Sequence, residues 1–113
     1  MSKTPEGAVM VAVRAWLSAH GIPHWRINQQ GVPIHGGTGF RPGPHRGIAD
    51  LLGILPGGRF LAVEVKKPGG KLTKDQRCFL LDVCIADGLG ICVSSVEELS
   101  MKLAGLVSGR LTE

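Results

Sequence analysis

The chain has 113 residues, 43% of them apolar, with a formal net charge of +4. That length supports one domain with a real core and leaves no room for two; the ordinary charge content excludes a disordered polyelectrolyte. The longest apolar stretches are too short and too interrupted to cross a bilayer, Arg14 breaks the N-terminal one, and no export-type pattern precedes it, so a cytoplasmic protein is expected.

Taken in chain order, Thr4-Pro5 suits an N-cap and first helical position. Val9, Ala12, Val13, Trp16 and Leu17 then recur at helical spacing until Gly21 and Pro23 stop the helix. Residues 24–29 read as a short strand with Trp25 and Ile27 on one face, and both tryptophans, Trp16 and Trp25, are expected in the core. Residues 31–47 hold six glycines and three prolines without periodicity, which predicts a long loop, and loops of that length are usually functional or disordered.

Residues 48–55 and 59–67 are predicted strands joined by Pro56-Gly57-Gly58. Pro at the first turn position and Gly where a positive φ is needed suit a three-residue hairpin. Its register pairs Leu55 with Arg59 and, counting back, sets Asp50 across from Glu64. A two-residue loop would put the two acids on opposite faces. Thr73-Lys74-Asp75-Gln76 then reads as a capping box opening a helix to about Ala86, with Phe79, Leu80, Val83 and Cys84 as its buried stripe. Residues 90–94 form a short strand, Ser95 to Glu98 is a second capping box, and Leu99, Leu103 and Leu106 seat a last helix. The order is helix, three strands, helix, strand, helix within a single domain, 1–113.

Cys78, Cys84 and Cys92 lack the spacing of zinc or redox sites, and their apolar neighbours predict buried, reduced thiols. His20, His24, His35 and His45 show no ligand spacing and read as surface or capping residues. Basic residues are concentrated: Arg41, Arg46, Arg59, Lys66, Lys67, Lys71, Lys74 and Arg77 face only Asp50, Glu64 and Asp75 over the same stretch. Such an excess favours a polyanion, because neutralised phosphates release counterions. Arg46, just before the Asp50 strand, suits a phosphate contact; Lys67, Lys71, Lys74 and Arg77 flank the acids as candidate DNA contacts or as solvated charge.

Asp50 and Glu64 sit in apolar runs, where an unpartnered carboxylate costs several kcal/mol and therefore neutralises, pairs or binds a metal. Opposed across a hairpin, their Cβ atoms would lie about 5 Å apart and the charges would repel. A divalent cation between them turns repulsion into ligation, and hard oxygen donors point to Mg²⁺ or Mn²⁺. Such an ion polarises a phosphate and acidifies a water, chemistry suited to phosphodiester hydrolysis. Lys66 shares the Glu64 face and can either stabilise the phosphorane charge or help orient and deprotonate the water. The plainer reading is an edge-strand ion cluster.

The runs Arg46-Gly47-Ile48-Ala49-Asp50, Val63-Glu64-Val65-Lys66 and Leu72-Thr73-Lys74-Asp75-Gln76 together resemble the VRR-NUC nucleases, a branch of the PD-(D/E)XK superfamily. Ala49 stands where the family commonly has proline, a change that touches no functional group. The resemblance implies an α/β fold with a restriction-endonuclease-like core, αβββαβ plus a C-terminal helix, its mixed sheet flanked by helices. It implies that Asp50, Glu64 and the Val65 carbonyl bind metal, that Lys66 is catalytic, that Gln76 joins the active site, and that Glu6 is an outer acid. For Gln76 the capping box, and for Glu6 the helix macrodipole, already account for the residue type. Small relatives of this kind look like phage enzymes, homodimers cutting branched DNA such as four-way junctions. The expectation is therefore a Mg²⁺- or Mn²⁺-dependent DNA endonuclease; the alternative is a DNA-binding module that keeps the fold and does not cut.

Overall fold

The computed structural model of the protein describes residues 4–27, 32–33, 40–41 and 46–108. Helix α1 (Pro5–Ala19) starts where expected: the Thr4 hydroxyl accepts from the Gly7 amide at 2.9 Å, and Pro5 fills the first position, which needs no donor. Met10, Val13 and Leu17, at intervals of three and four, are its buried stripe. The remaining elements are β1 (His24–Arg26), β2 (Val32–Pro33), β3 (Phe40–Arg41), β4 (Leu51–Leu55), β5 (Arg59–Val65), α2 (Lys74–Ile85), β6 (Leu89–Val93) and α3 (Val96–Ser108).

Four strands make one mixed sheet in the order β1-β4-β5-β6, antiparallel except for the parallel β5–β6 pair. The parallel step needs a crossover, which α2 supplies. Helices α1 and α3 cover one face, where Leu17, Leu51, Leu61, Val63, Val65, Val93, Leu99 and Leu103 are almost wholly buried. Each such side chain contributes about 1.5–3 kcal/mol of burial. Helix α2 covers part of the other face, packing Leu80 and Val83 over Ala49 and Ala62. Period-two alternation separates the faces, so even-numbered residues of β4 and β5 look toward α2.

The hairpin delivers the expected register. Leu55 pairs with Arg59 and Leu51 with Val63. Pro56–Gly58 forms a short 3₁₀ turn, with Gly57 and Gly58 at φ 84° and 82°, a region costly to any residue with a Cβ. Carried one step past the last pair, this register sets Asp50 opposite Glu64. Several strand limits differ from expectation: β1 ends at Arg26, β4 begins at Leu51 rather than residue 48, because 46–47 form a turn and Asp50 a bend, β5 ends at Val65, and β6 (Leu89–Val93) lies one residue earlier. Within the expected 31–47 loop, β2 and β3 pair antiparallel; its other residues before Arg46, His35 and His45 among them, lie outside the described residues, as do Asn28 and Gln29.

Three sequence expectations are corrected. Trp25 is not core: it is 53% exposed, and among the described residues α2 packs over β5 and β6 and leaves the β1–β4 half of that face open. Trp16 is half-buried and stacks on His20 at 3.7 Å between ring centroids. The cysteines are free thiols, yet Cys78 and Cys84 are exposed and Cys92 half-buried. Leu80 and Val83 alone are buried on α2, and both helical cysteines fall outside that narrow stripe. The second capping box is shifted: Ser95 Oγ accepts from the Glu98 amide at 3.1 Å, but the Glu98 carboxylate accepts from the Ser94 amide at 2.8 Å, which holds its pKa below the ordinary value. No described helix is long and apolar enough to cross a membrane.

Candidate active site

The strand ends and the start of α2 bring Asp50, Glu64, Lys66 and Gln76 together. Because β4 begins only at Leu51, the Val65 amide has no ladder carbonyl to pair with. The Asp50 carboxylate takes that place, accepting from the Val65 amide at 2.8 Å, while the Asp50 carbonyl accepts from the Ile27 amide at 2.8 Å. Asp50, one residue before β4, is thus tied to the chain on either side of it. In an extended chain a residue's N–H and C=O point the same way, so the Val65 carbonyl is also directed to the Asp50 side. Lys66 turns the other way, its amide donating to the Val93 carbonyl at 2.9 Å.

Glu64 is the buried member at 3% exposure. Its Oε2 accepts from Gln76 Nε2 at 3.0 Å and lies 3.6 Å from Lys66 Nζ. Its Oε1 is fully buried and accepts no hydrogen bond from the described residues, with the Asp50 carboxylate beside the group. Burial first, and the neighbouring Asp50 charge second, push the Glu64 pKa up to about 7, against a smaller opposing pull from Lys66. Cys92, opposite Glu64 on β6, also has its pKa raised, by burial and then by Glu64.

The cap and the contact of Gln76 with Glu64 are one arrangement. Thr73 Oγ1 accepts from the Gln76 amide at 3.1 Å, and Gln76 Oε1 accepts from the Thr73 amide at 2.9 Å. That second bond orients the side-chain amide, leaving its NH₂ to donate to Glu64. A helix cap therefore aims a donor into the carboxylate pair.

Gly47 locks the same corner. At φ 78°, a Cβ there would stand 2.3 Å from the Asp75 carbonyl oxygen and 2.8 Å from the Gln76 nitrogen. Substituting alanine is expected to cost about 2–4 kcal/mol, through both the left-handed backbone and the clash with helix backbone. Thermal unfolding checks this; Gly57→Ala, strained in φ but facing open space, is expected to cost less.

Glu6 is not drawn into the cluster. It is exposed in the first turn of α1, on the opposite side of the sheet, and makes no hydrogen bond or ion pair with the carboxylates among the described residues. Arg46, Lys67, Lys71, Lys74 and Arg77 are all exposed, and Arg77 borders a shallow groove of about 280 Å³ shared with Leu72, Cys92 and Lys102. Lys102, which sequence reasoning did not single out, donates to the Cys92 carbonyl at 3.1 Å and pairs with Glu98 at 3.2 Å.

A model of the VRR-NUC domain matches residues 41–97, a span that holds β4, β5, α2, β6 and the whole carboxylate cluster. The chain belongs to the VRR-NUC nuclease family. No curated protein and no solved structure matches it. The mixed four-stranded sheet with flanking helices and a C-terminal helix is the restriction-endonuclease-like architecture that goes with a VRR-NUC domain.

Among the described residues no group of three or more His, Cys, Asp or Glu side chains converges to hold a metal. A VRR-NUC ion here would rely on two carboxylates and a backbone carbonyl. The donor set is hard, anionic and incomplete, with one carboxylate oxygen orphaned, which fits a hydrated Mg²⁺ or Mn²⁺ and not zinc.

Proposed function

We propose that this VRR-NUC nuclease hydrolyses DNA phosphodiesters with Mg²⁺ or Mn²⁺ held by Asp50, Glu64 and the Val65 carbonyl. The observation that carries the reading is the buried, unpartnered Glu64 Oε1 beside a second carboxylate. Two acids held this close in a nuclease fold are unfavourable unless a proton or a cation sits with them. When bound, the ion supplies Lewis acidity and an acidified water.

The chain's own residues do the rest. Asp50, tied to the Val65 amide, presents its other oxygen without a side-chain search. Gln76 fixes the rotamer of Glu64. Lys66 Nζ, within 3.6 Å of Glu64, brings a positive charge to the same face, where it balances the carboxylates and stabilises charge on a bound phosphate. Arg46, Lys67, Lys71, Lys74 and Arg77 supply phosphate contacts on the surrounding surface, which predicts strongly salt-dependent binding.

The finer reading is a stand-alone phage-type enzyme, a homodimer acting on branched DNA such as four-way junctions. Support for it is the motif resemblance, together with the economy of two-fold symmetry when each small domain carries one site. Incubating the protein with supercoiled and four-way-junction DNA, with Mg²⁺, Mn²⁺ or EDTA, tests both levels. Cleavage in either metal that EDTA abolishes is the expected result, with the junction cut faster than linear duplex. Metal-independent binding without product would make the protein a DNA-binding module instead.

A further inference from the structure

The face that carries Asp50 and Glu64 continues onto an open aromatic surface. Trp25 pairs with Leu52 across β1–β4, and Leu52 stands two residues from Asp50 on the same face. Strand geometry puts the Trp25 backbone about 8 Å from that of Asp50, roughly two base steps of a stacked strand. Its ring is 53% exposed, and beyond it Ile54 and Phe60, a directly opposed pair, are each 43% exposed. An exposed tryptophan costs burial energy that a core position would recover. Among the described residues, α2 packs on β5 and β6 and leaves this half of the face uncovered.

We propose that Trp25 is a stacking platform for an unpaired nucleobase close to the scissile phosphate. The proposal rests on the nuclease reading of the adjoining carboxylates and extends it to the state of the DNA. A phosphate at Asp50 and Glu64 has the exposed basic side chains of 67–77 on one flank and Trp25 on the other. The basic flank neutralises backbone charge and is indifferent to pairing. The indole needs a free π-face, which a base offers only when it has left the duplex stack, as in single strands and at branch points. Continuity with the carboxylate site is what selects a base as occupant rather than another protein surface.

Binding in EDTA tests this apart from cleavage. The probes are a labelled single-stranded oligonucleotide, a splayed-arm DNA with unpaired arms, and a fully paired duplex of the same sequence. Trp25→Ala is expected to weaken binding to the first two about tenfold and to the duplex less than about twofold. Trp25→Phe, which keeps a ring, should stay within about threefold of wild type. Ile85→Ala, removing an apolar residue 80% exposed on α2, should change none of the three. The chain has two tryptophans, so in a Trp16→Phe background the single-stranded probe should quench the emission of Trp25 alone.

Unchanged binding in Trp25→Ala, equal loss on all three DNAs, or no rescue by phenylalanine overturns the proposal. A fall in sedimenting mass on Trp25→Ala also overturns it, because the face would then be covered by a second copy. The nuclease reading fails separately: if Asp50→Asn keeps more than about a tenth of the wild-type cutting rate, the carboxylate assignment is lost whether or not Trp25 stacks.

Discussion

Asp50→Asn is expected to lower metal-dependent cleavage on the order of a thousand-fold while the domain stays folded. Asparagine keeps an oxygen that can accept from the Val65 amide, so the bond that stands in for the missing ladder partner survives. What it removes is one of two anionic donors, in a site where a backbone carbonyl is the only other protein ligand proposed. Initial rates on junction DNA in Mg²⁺ and in Mn²⁺, beside a thermal melt, measure both effects. Asp82→Asn, an exposed acid on α2, serves as the charge control and should cut normally. If Asp50→Asn retained more than about a tenth of the wild-type rate with an unchanged melt, the ion would not be held by this pair.

Asp50 and Glu64 were legible from the sequence because they break apolar strands and because the Pro56-Gly57-Gly58 turn specifies a register. The observed pairing of Leu55 with Arg59 keeps both acids on one face, and the family match spans the same segment. The capping box at Thr73 was equally legible, since it is a local pattern. Its consequence was not: that Gln76 uses its oxygen for the cap and its nitrogen for Glu64 depends on α2 landing beside β5, a tertiary fact. Gly47 was legible as part of the Arg46–Asp50 motif, but its packing role was not, because it comes from the approach of Asp75, far along the chain. Trp25 misled for a related reason. Alternation correctly put it on a sheet face, but whether a helix covers that part of the face is set by where α2 crosses. The same holds for Cys78 and Cys84, whose apolar neighbours do not reveal how narrow the buried stripe of α2 is.

Glu64 is expected to make the metal-free protein lose stability as pH rises from about 4.5 to about 7. In the unfolded chain its carboxyl titrates near 4.5, and in the fold burial and Asp50 raise that to about 7. Between those values the folded state holds a proton that the unfolded chain has released, so raising the pH favours unfolding. Below the window both states are protonated, above it both are ionised, and this group no longer bends the curve. The full shift corresponds to about 3 kcal/mol, an upper figure for a pair of interacting acids. The informative quantity is wild type minus Glu64→Gln, which isolates this group from every other. Melted in EDTA at pH 8, the variant should be the more stable by up to about 3 kcal/mol, on the order of 10 °C for a domain of this size, with the difference vanishing near pH 4.5. Mg²⁺ or Mn²⁺ should raise the wild-type melting temperature more at pH 8 than at pH 6, because protons compete for the same oxygens, and should leave Glu64→Gln nearly unmoved. Parallel pH profiles for the two proteins would show that Glu64 does not carry that proton. The destabilised metal-free state is then intelligible as the consequence of setting buried Glu64 beside half-buried Asp50, as the proposed cation site requires: the fold tolerates Glu64 protonated below neutrality, and above it the carboxylate pair is left short of one positive charge.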